Sequence, residues 1–126
     1  MRRWHETLNQ GDLERFTDLH AQNVEFVGPR GSGHGAGLVR DWAERSGIRL
    51  EPIRSYGPGD DGRLVVTQLA SWRDPESGEF GDSIEAATAF QVVDGEVTRI
   101  ARFDTLPEAL RFAGLDPDTA SSEMAS

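Results

Sequence analysis

The chain has 126 residues and a formal net charge of −9, enough for one domain with a real core and not for two. That charge excludes nucleic acid and an anionic membrane surface as partners, since both need a basic footprint. There is no cysteine and all 13 basic residues are arginine, which excludes disulfides, thiol nucleophiles, thiolate metal sites, Schiff bases and Walker-type phosphate loops.

No apolar run approaches the roughly 18 residues of a membrane span, and no basic-then-apolar leader is present, so a cytoplasmic location is expected. What remains for chemistry is His5, His20, His34, the carboxylates, the arginines, Tyr56 and hydroxyls.

Taken in order, Arg2–Asn9 carries Trp4, His5 and Leu8 at helical spacing and stops at Gln10-Gly11-Asp12. Asp12 is a good N-cap for a second helix, Leu13–Ala21, with Leu13, Phe16, Leu19 and His20 in one stripe. Asn23–Gly28 alternates Val24, Phe26 and Gly28 against Glu25 and Val27, a strand of period 2. Pro29–Gly37 reads as a glycine-rich loop, and Leu38–Arg45 as a short helix ended by Ser46-Gly47. From there the chain is nearly all β. Ile48–Tyr56 is a strand in which Pro52 marks an edge or a bulge. Arg63–Arg73 is a strand apolar on both faces, so both should be covered. Two longer strands, Ser83–Val93 and Glu96–Asp104, precede a last helix, Leu106–Gly114. Residues 116–126 are polar and small and read as a flexible tail after a domain of residues 1–115. The order ααβαββββα describes an α+β domain with helices on one face of a curved antiparallel sheet.

The last two strands meet at Asp94-Gly95, a strong hairpin signal. A two-residue type I′ turn pairs Val93 with Glu96. A three-residue turn with a G1 bulge pairs Val92 with Glu96 instead. In a regular ladder only the second puts Thr88, Ile100, Arg102 and Asp104 on one face. The first puts Val97, Arg99, Ala101 and Phe103 there.

Three stretches carry a family resemblance: "LNQGDLERFTDLHAQNVEF", "GHGAGLVRDWAER" and "FQVVDGEVTRIARFDTLPEALRFAGL". With the element order they make the chain similar to the SnoaL-like branch of the nuclear transport factor 2-like superfamily, over roughly residues 2 to 115. The resemblance implies a cone-shaped, cystatin-like fold, its curved sheet wrapped around the N-terminal helices and a pocket, commonly a homodimer through the sheet's outer face. It also implies that Thr88, Ile100 and Arg102 share the cavity, and so the three-residue turn. The superfamily includes ketosteroid isomerases, limonene-epoxide hydrolases, polyketide cyclases and dehydratases, so function rests on the site.

The isomerase groups do not carry over. The oxyanion-binding tyrosine falls on Trp4, the general base on Gly28 and the protonated aspartic acid on Thr88. The epoxide hydrolases' last-strand aspartate falls on Arg102, with no Arg-x-Asp on a strand to complete the set. His20 falls where isomerases carry a pocket tyrosine.

Strand parity and the resemblance together predict a pocket lined by Trp4, Phe16, His20, Phe26, Trp42, Leu64, Val66, Gln68, Thr88, Phe90, Ile100, Arg102 and Asp104. His20 with Asp104, or Arg102 with Asp104, would act on a polar group of an otherwise apolar ligand. Against this, His20 could simply cap its helix, and Arg102 and Asp104 could form a salt bridge. Gln68, an amide on an apolar face, either bonds Thr88 or reads a ligand carbonyl, with the ligand favoured. His5, next to Trp4, faces solvent or an interface. His34, in "GSGHGA", belongs to a pocket-rim loop, since no βαβ unit supports a dinucleotide reading. No spacing suggests a metal, and no cofactor is implied. Two functions follow. One is a cofactor-independent isomerase, cyclase or dehydratase acting on a hydrophobic polyketide- or steroid-like substrate. The other is a non-catalytic ligand-binding or dimerisation module.

Overall fold

The computed structural model describes residues 2–28, 31–59, 61–116 and 120–123. Its elements are α1 (Arg2–Gln10), α2 (Leu13–Asp18), β1 (His20–Gly28), β2 (Gly31–His34), α3 (Ala36–Ser46), β3 (Ile48–Tyr56), β4 (Arg63–Trp72), β5 (Ile84–Val93), β6 (Glu96–Phe103), α4 (Leu106–Ala113) and β7 (Ala120–Glu123). The strands form one curved sheet in the order β2-β1-β6-β5-β4-β3-β7. All pairs are antiparallel except β1 with β6, which run parallel.

The helix signals act as read. Asp12 caps α2 by accepting from the Arg15 N–H, and α3 ends on Gly47 in the left-handed region at φ 58°. Two segments read as irregular are strands. Residues 31–34 of the expected loop pair with β1, and Ala120–Glu123 of the expected tail pair with β3. The remainder of that loop's start and of the tail, residues 29–30, 117–119 and 124–126, lie outside the described residues. As Pro52 suggested, β3 is bulged: Pro52 pairs with Gln68 but Arg54 with Thr67, which leaves Ile53 unpaired.

Helices cover both faces of the sheet, not one. The inner face packs Leu64, Val66, Phe90 and Ile100 against Trp4, Leu8 and Phe16 of α1–α2 and Val39 of α3. The outer face packs Val65, Ala87, Ala89 and Ala101 against Ala109, Leu110 and Ala113 of α4. Small side chains on both partners let this helix lie close to the strands. Leu64 and Val66 on one face of β4 and Val65 on the other are thereby buried, while Leu69 and Trp72 stay exposed.

The β5–β6 hairpin corrects the sequence reading in an instructive way. Val93 pairs with Glu96 and Val92 with Val97, so the turn is the two-residue one, with Asp94 at φ 53° and Gly95 at φ 82°. A regular ladder would then turn Arg102 outward. Yet Gln91 pairs with Arg99, Phe90 with Ile100 and Thr88 with Arg102. Thr98 is an extra residue, bulged out of the ladder within β6. The bulge reverses the parity, so Ile100 and Arg102 face inward after all. The Val97 N–H donates to the Leu19 carbonyl at 2.9 Å, which ties this irregularity to the start of β1.

Candidate functional site

The inner face divides into a sealed apex and an open mouth. At the apex, His20 is the first residue of β1, not part of a helix running to Ala21, and pairs in register with Val97. Its ring is 4 % exposed and stacks edge-on to Phe16 with centroids 4.9 Å apart. The Trp4 indole N–H donates to His20 Nε2 at 2.9 Å. Indole nitrogen can only donate, so Nε2 is the accepting nitrogen and the ring carries its proton on Nδ1. Nδ1 lies near the carbonyls of Phe16 and Thr17 at the end of α2 without meeting either in hydrogen-bond geometry. Burial holds the His20 pKa below the ordinary imidazole value, and the two carbonyls oppose this by less.

A second chain of polar groups lies beside it. The Thr88 hydroxyl donates to Gln68 Oε1 at 2.7 Å, and Gln68 Nε2 donates to His5 Nε2 at 2.8 Å. Gln68 therefore bonds protein groups, not a ligand carbonyl. His5, expected at solvent or an interface, is 2 % exposed. These bonds satisfy buried polar atoms that would otherwise each cost about 1–3 kcal/mol.

The walls around these groups are closed. Trp4, Phe16, Val66, Gln68, Thr88 and Ile100 each expose at most 1 % of their surface, and Phe90 2 %. A cavity wide enough for water would leave accessible surface on its walls. These seven predicted pocket residues, with Leu64 (7 % exposed), form core.

The mouth is different. Phe26, Trp42 and Arg102 are half-buried. The Phe26 and Trp42 rings lie 5.3 Å apart, and the Arg102 guanidinium sits over the Trp42 ring at 5.6 Å from its centroid. Strand parity places Trp72 and Ile84, 36 % and 55 % exposed, on the same face of the sheet. Asp104 is exposed, just past the end of β6. It acts on Arg102 through space, but no ion pair joins them.

His20 and Asp104 therefore do not meet. His20 is level with Val97, and from there the chain runs on to Asp104, roughly 20 Å at 3.3 Å per residue. The expected His20–Asp104 pair fails on distance, and the lone pair a base would use is already taken by Trp4. The salt bridge between Arg102 and Asp104, the alternative reading of that pair, is not formed either. Sequence reasoning missed His5. Its signal was a histidine beside a buried tryptophan on a helix whose apolar stripe is wide. His34, read as part of a pocket-rim loop, ends strand β2 and is exposed, 3.8 Å from Glu25 on the opposite strand. Among the described residues no group of three or more histidines or carboxylates could hold a metal, and no helix is long and apolar enough to cross a membrane.

A family model, the SnoaL-like domain, matches residues 1–100, and the chain belongs to that family. No curated protein matches the sequence. Among solved structures, a candidate polyketide cyclase from Xanthomonas campestris pv. campestris has a TM-score of 0.68 at 19 % identity, covering 85 % of this chain and 88 % of its own. A candidate ketosteroid isomerase from Kribbella flavida scores 0.66 at 22 % identity, covering 81 % and 72 %. A hypothetical protein of ketosteroid isomerase-like fold from Catenulispora acidiphila, solved in complex with trimethylamine, scores 0.68 at 15 %, covering 93 % of each chain. At these identities the likeness establishes the fold.

Proposed function

We propose that this SnoaL-like protein is a binding module for a small apolar organic molecule, held at the open mouth of the cone by Phe26 and Trp42. One observation carries the reading. The apex polar groups are hydrogen-bonded to one another within closed walls, while the two aromatic rings at the mouth keep accessible surface. A half-exposed aromatic pair offers apolar area at about 25 cal/mol per Å² covered. It needs no preformed acid or base.

The test uses N-phenyl-1-naphthylamine, a neutral dye that brightens in apolar surroundings. Its emission should rise with the native protein and fall at least fivefold in Trp42→Ser. Equal brightening in both proteins would remove the mouth as the site.

A second reading, cofactor-independent isomerisation, cyclisation or dehydration of a polyketide- or steroid-like substrate, draws on one observation. His20 is held neutral, the state a general base requires. It demands that a substrate displace Trp4 from Nε2 and open the apex. Turnover lost in His20→Asn and retained in Trp42→Ser would favour it.

A homodimer through the outer sheet face is part of the same proposal. Beyond α4 that face presents Leu69, 38 % exposed. Light scattering of the native chain and of Leu69→Arg tests it: a dimer that the substitution leaves intact would place the interface elsewhere. A cytoplasmic location fits both readings, and fractionation of the native host would test it.

A further inference from the structure

Arg102 is a half-buried cation with no anion paired to it among the described residues. Among the described residues no carboxylate lies within ion-pair distance of its guanidinium, and no hydrogen bond reaches it. Its neighbours are the Trp42 face and, further off, the exposed Asp104. The other arginines whose ion pairs are resolved differ: Arg99 meets Glu25 at 2.6 Å, Arg63 meets Asp61 at 2.9 Å, Arg49 meets Glu51 at 3.0 Å and Arg15 meets Asp12 at 3.6 Å.

Removing a cation from water is costly, and a ring face returns only part of that cost. The fork of N–H donors on a guanidinium matches a planar carboxylate in a bidentate pair. Its surroundings are apolar: the Phe26 and Trp42 rings meet beside it with centroids 5.3 Å apart and planes tilted by 49°.

We infer that the ligand is an organic monocarboxylate with a flat apolar body, its carboxylate paired with Arg102 and its body lying on Trp42 and Phe26. This rests on the mouth being the binding site. A monoanion is favoured over a phosphate dianion on charge. Among the described residues the mouth offers one cation, Asp104 stands on the same strand's continuation, and the chain carries −9 overall.

Calorimetry with 2-naphthoate, its neutral isostere 2-naphthamide and 2-naphthyl phosphate tests the inference on the native chain and on Arg102→Gln. Naphthoate should bind the native protein at least tenfold tighter than the amide and tighter than the phosphate ester. The tenfold margin over the amide should vanish in Arg102→Gln. Equal binding of naphthoate and amide by the native protein would overturn the carboxylate assignment and leave the mouth as an apolar site. Tighter binding of the phosphate would overturn the monoanion class. If the neutral dye binds and naphthoate does not, the inference fails alone. If neither binds, the mouth reading fails with it. The comparison of acid and amide on the native chain decides the matter even if Arg102→Gln does not fold.

Discussion

The indole N–H of Trp4 is bonded to Nε2 of His20, 16 residues on in sequence and 2.9 Å away across the closed apex. This bond makes His20 a structural acceptor and fixes its tautomer. It also predicts an acid sensitivity. Because burial depresses the folded-state pKa of His20, the unfolded chain takes up a proton first as pH falls below about 6.5. The stability due to the neutral ring is complete above that pH. Below it, stability is lost at up to about 1.4 kcal/mol per pH unit until the folded pKa is reached. Urea unfolding at a series of pH values should show this slope in the native chain and a shallower one in His20→Asn. Identical slopes would mean that the ring protonates without unfolding the apex.

The Thr88–Gln68–His5 chain should behave as one unit. Thr88→Val leaves the Gln68 carbonyl oxygen unsatisfied in a site with no access to water, and should destabilise by about 1–3 kcal/mol. Adding Gln68→Leu should cost less than the sum of the two single changes, since the double variant leaves fewer orphaned groups. Strict additivity in chemical unfolding would show that the groups act separately.

Much of this fold was legible in the sequence, because each element carried its own signal. Asp12 and Gly47 bound helices, alternation marked β1, and the two apolar faces of β4 announced that both would be covered. What failed was long-range bookkeeping. The turn at Asp94-Gly95 was read as deciding which side chains share a face, but the deciding residue is Thr98, four positions further on. Nothing local marks it. A bulge follows from how β6 must fit both β5 and the start of β1, where the Val97 N–H finds the Leu19 carbonyl. The site suffered similarly. Parity gathered Gln68 and Thr88 on one face, where Trp4 packs from α1, but Arg102 joins them only through the bulge. It could not say that the apex would close on itself and only the mouth stay open, because that depends on how far α1 and α2 sink into the sheet.

The bulge makes a sharp prediction of its own. Deleting Thr98 removes the extra residue, so Arg99 stays opposite Gln91 and Ile100 opposite Phe90 in a now regular ladder, and Ile100 and Arg102 keep the inner face. The variant should keep cooperative thermal unfolding. Asp94→Asn, at a positive φ that asparagine tolerates, should change stability by less than about 1 kcal/mol. A deletion variant that fails to fold would show that the bulge is needed to fit β6 to the start of β1.

Asp104 should oppose a bound carboxylate, because it acts on Arg102 from an exposed position without pairing to it. Asp104→Asn should therefore tighten 2-naphthoate binding two- to fivefold at low salt and leave 2-naphthamide unchanged. The gain should shrink as ionic strength rises, since the interaction crosses solvent. Weaker naphthoate binding in Asp104→Asn would mean that this carboxylate helps to hold Arg102 in place.

The claim that the apex is closed and the mouth binds is tested most directly by the indole N–H signals of Trp4, Trp42 and Trp72 in a nitrogen–proton correlation spectrum. As 2-naphthoate is added, the Trp42 signal should move to saturation while the Trp4 signal, bonded to His20, stays where it is. Movement of the Trp4 signal with Trp42 unchanged would contradict the account and place the ligand in the apex beside His20.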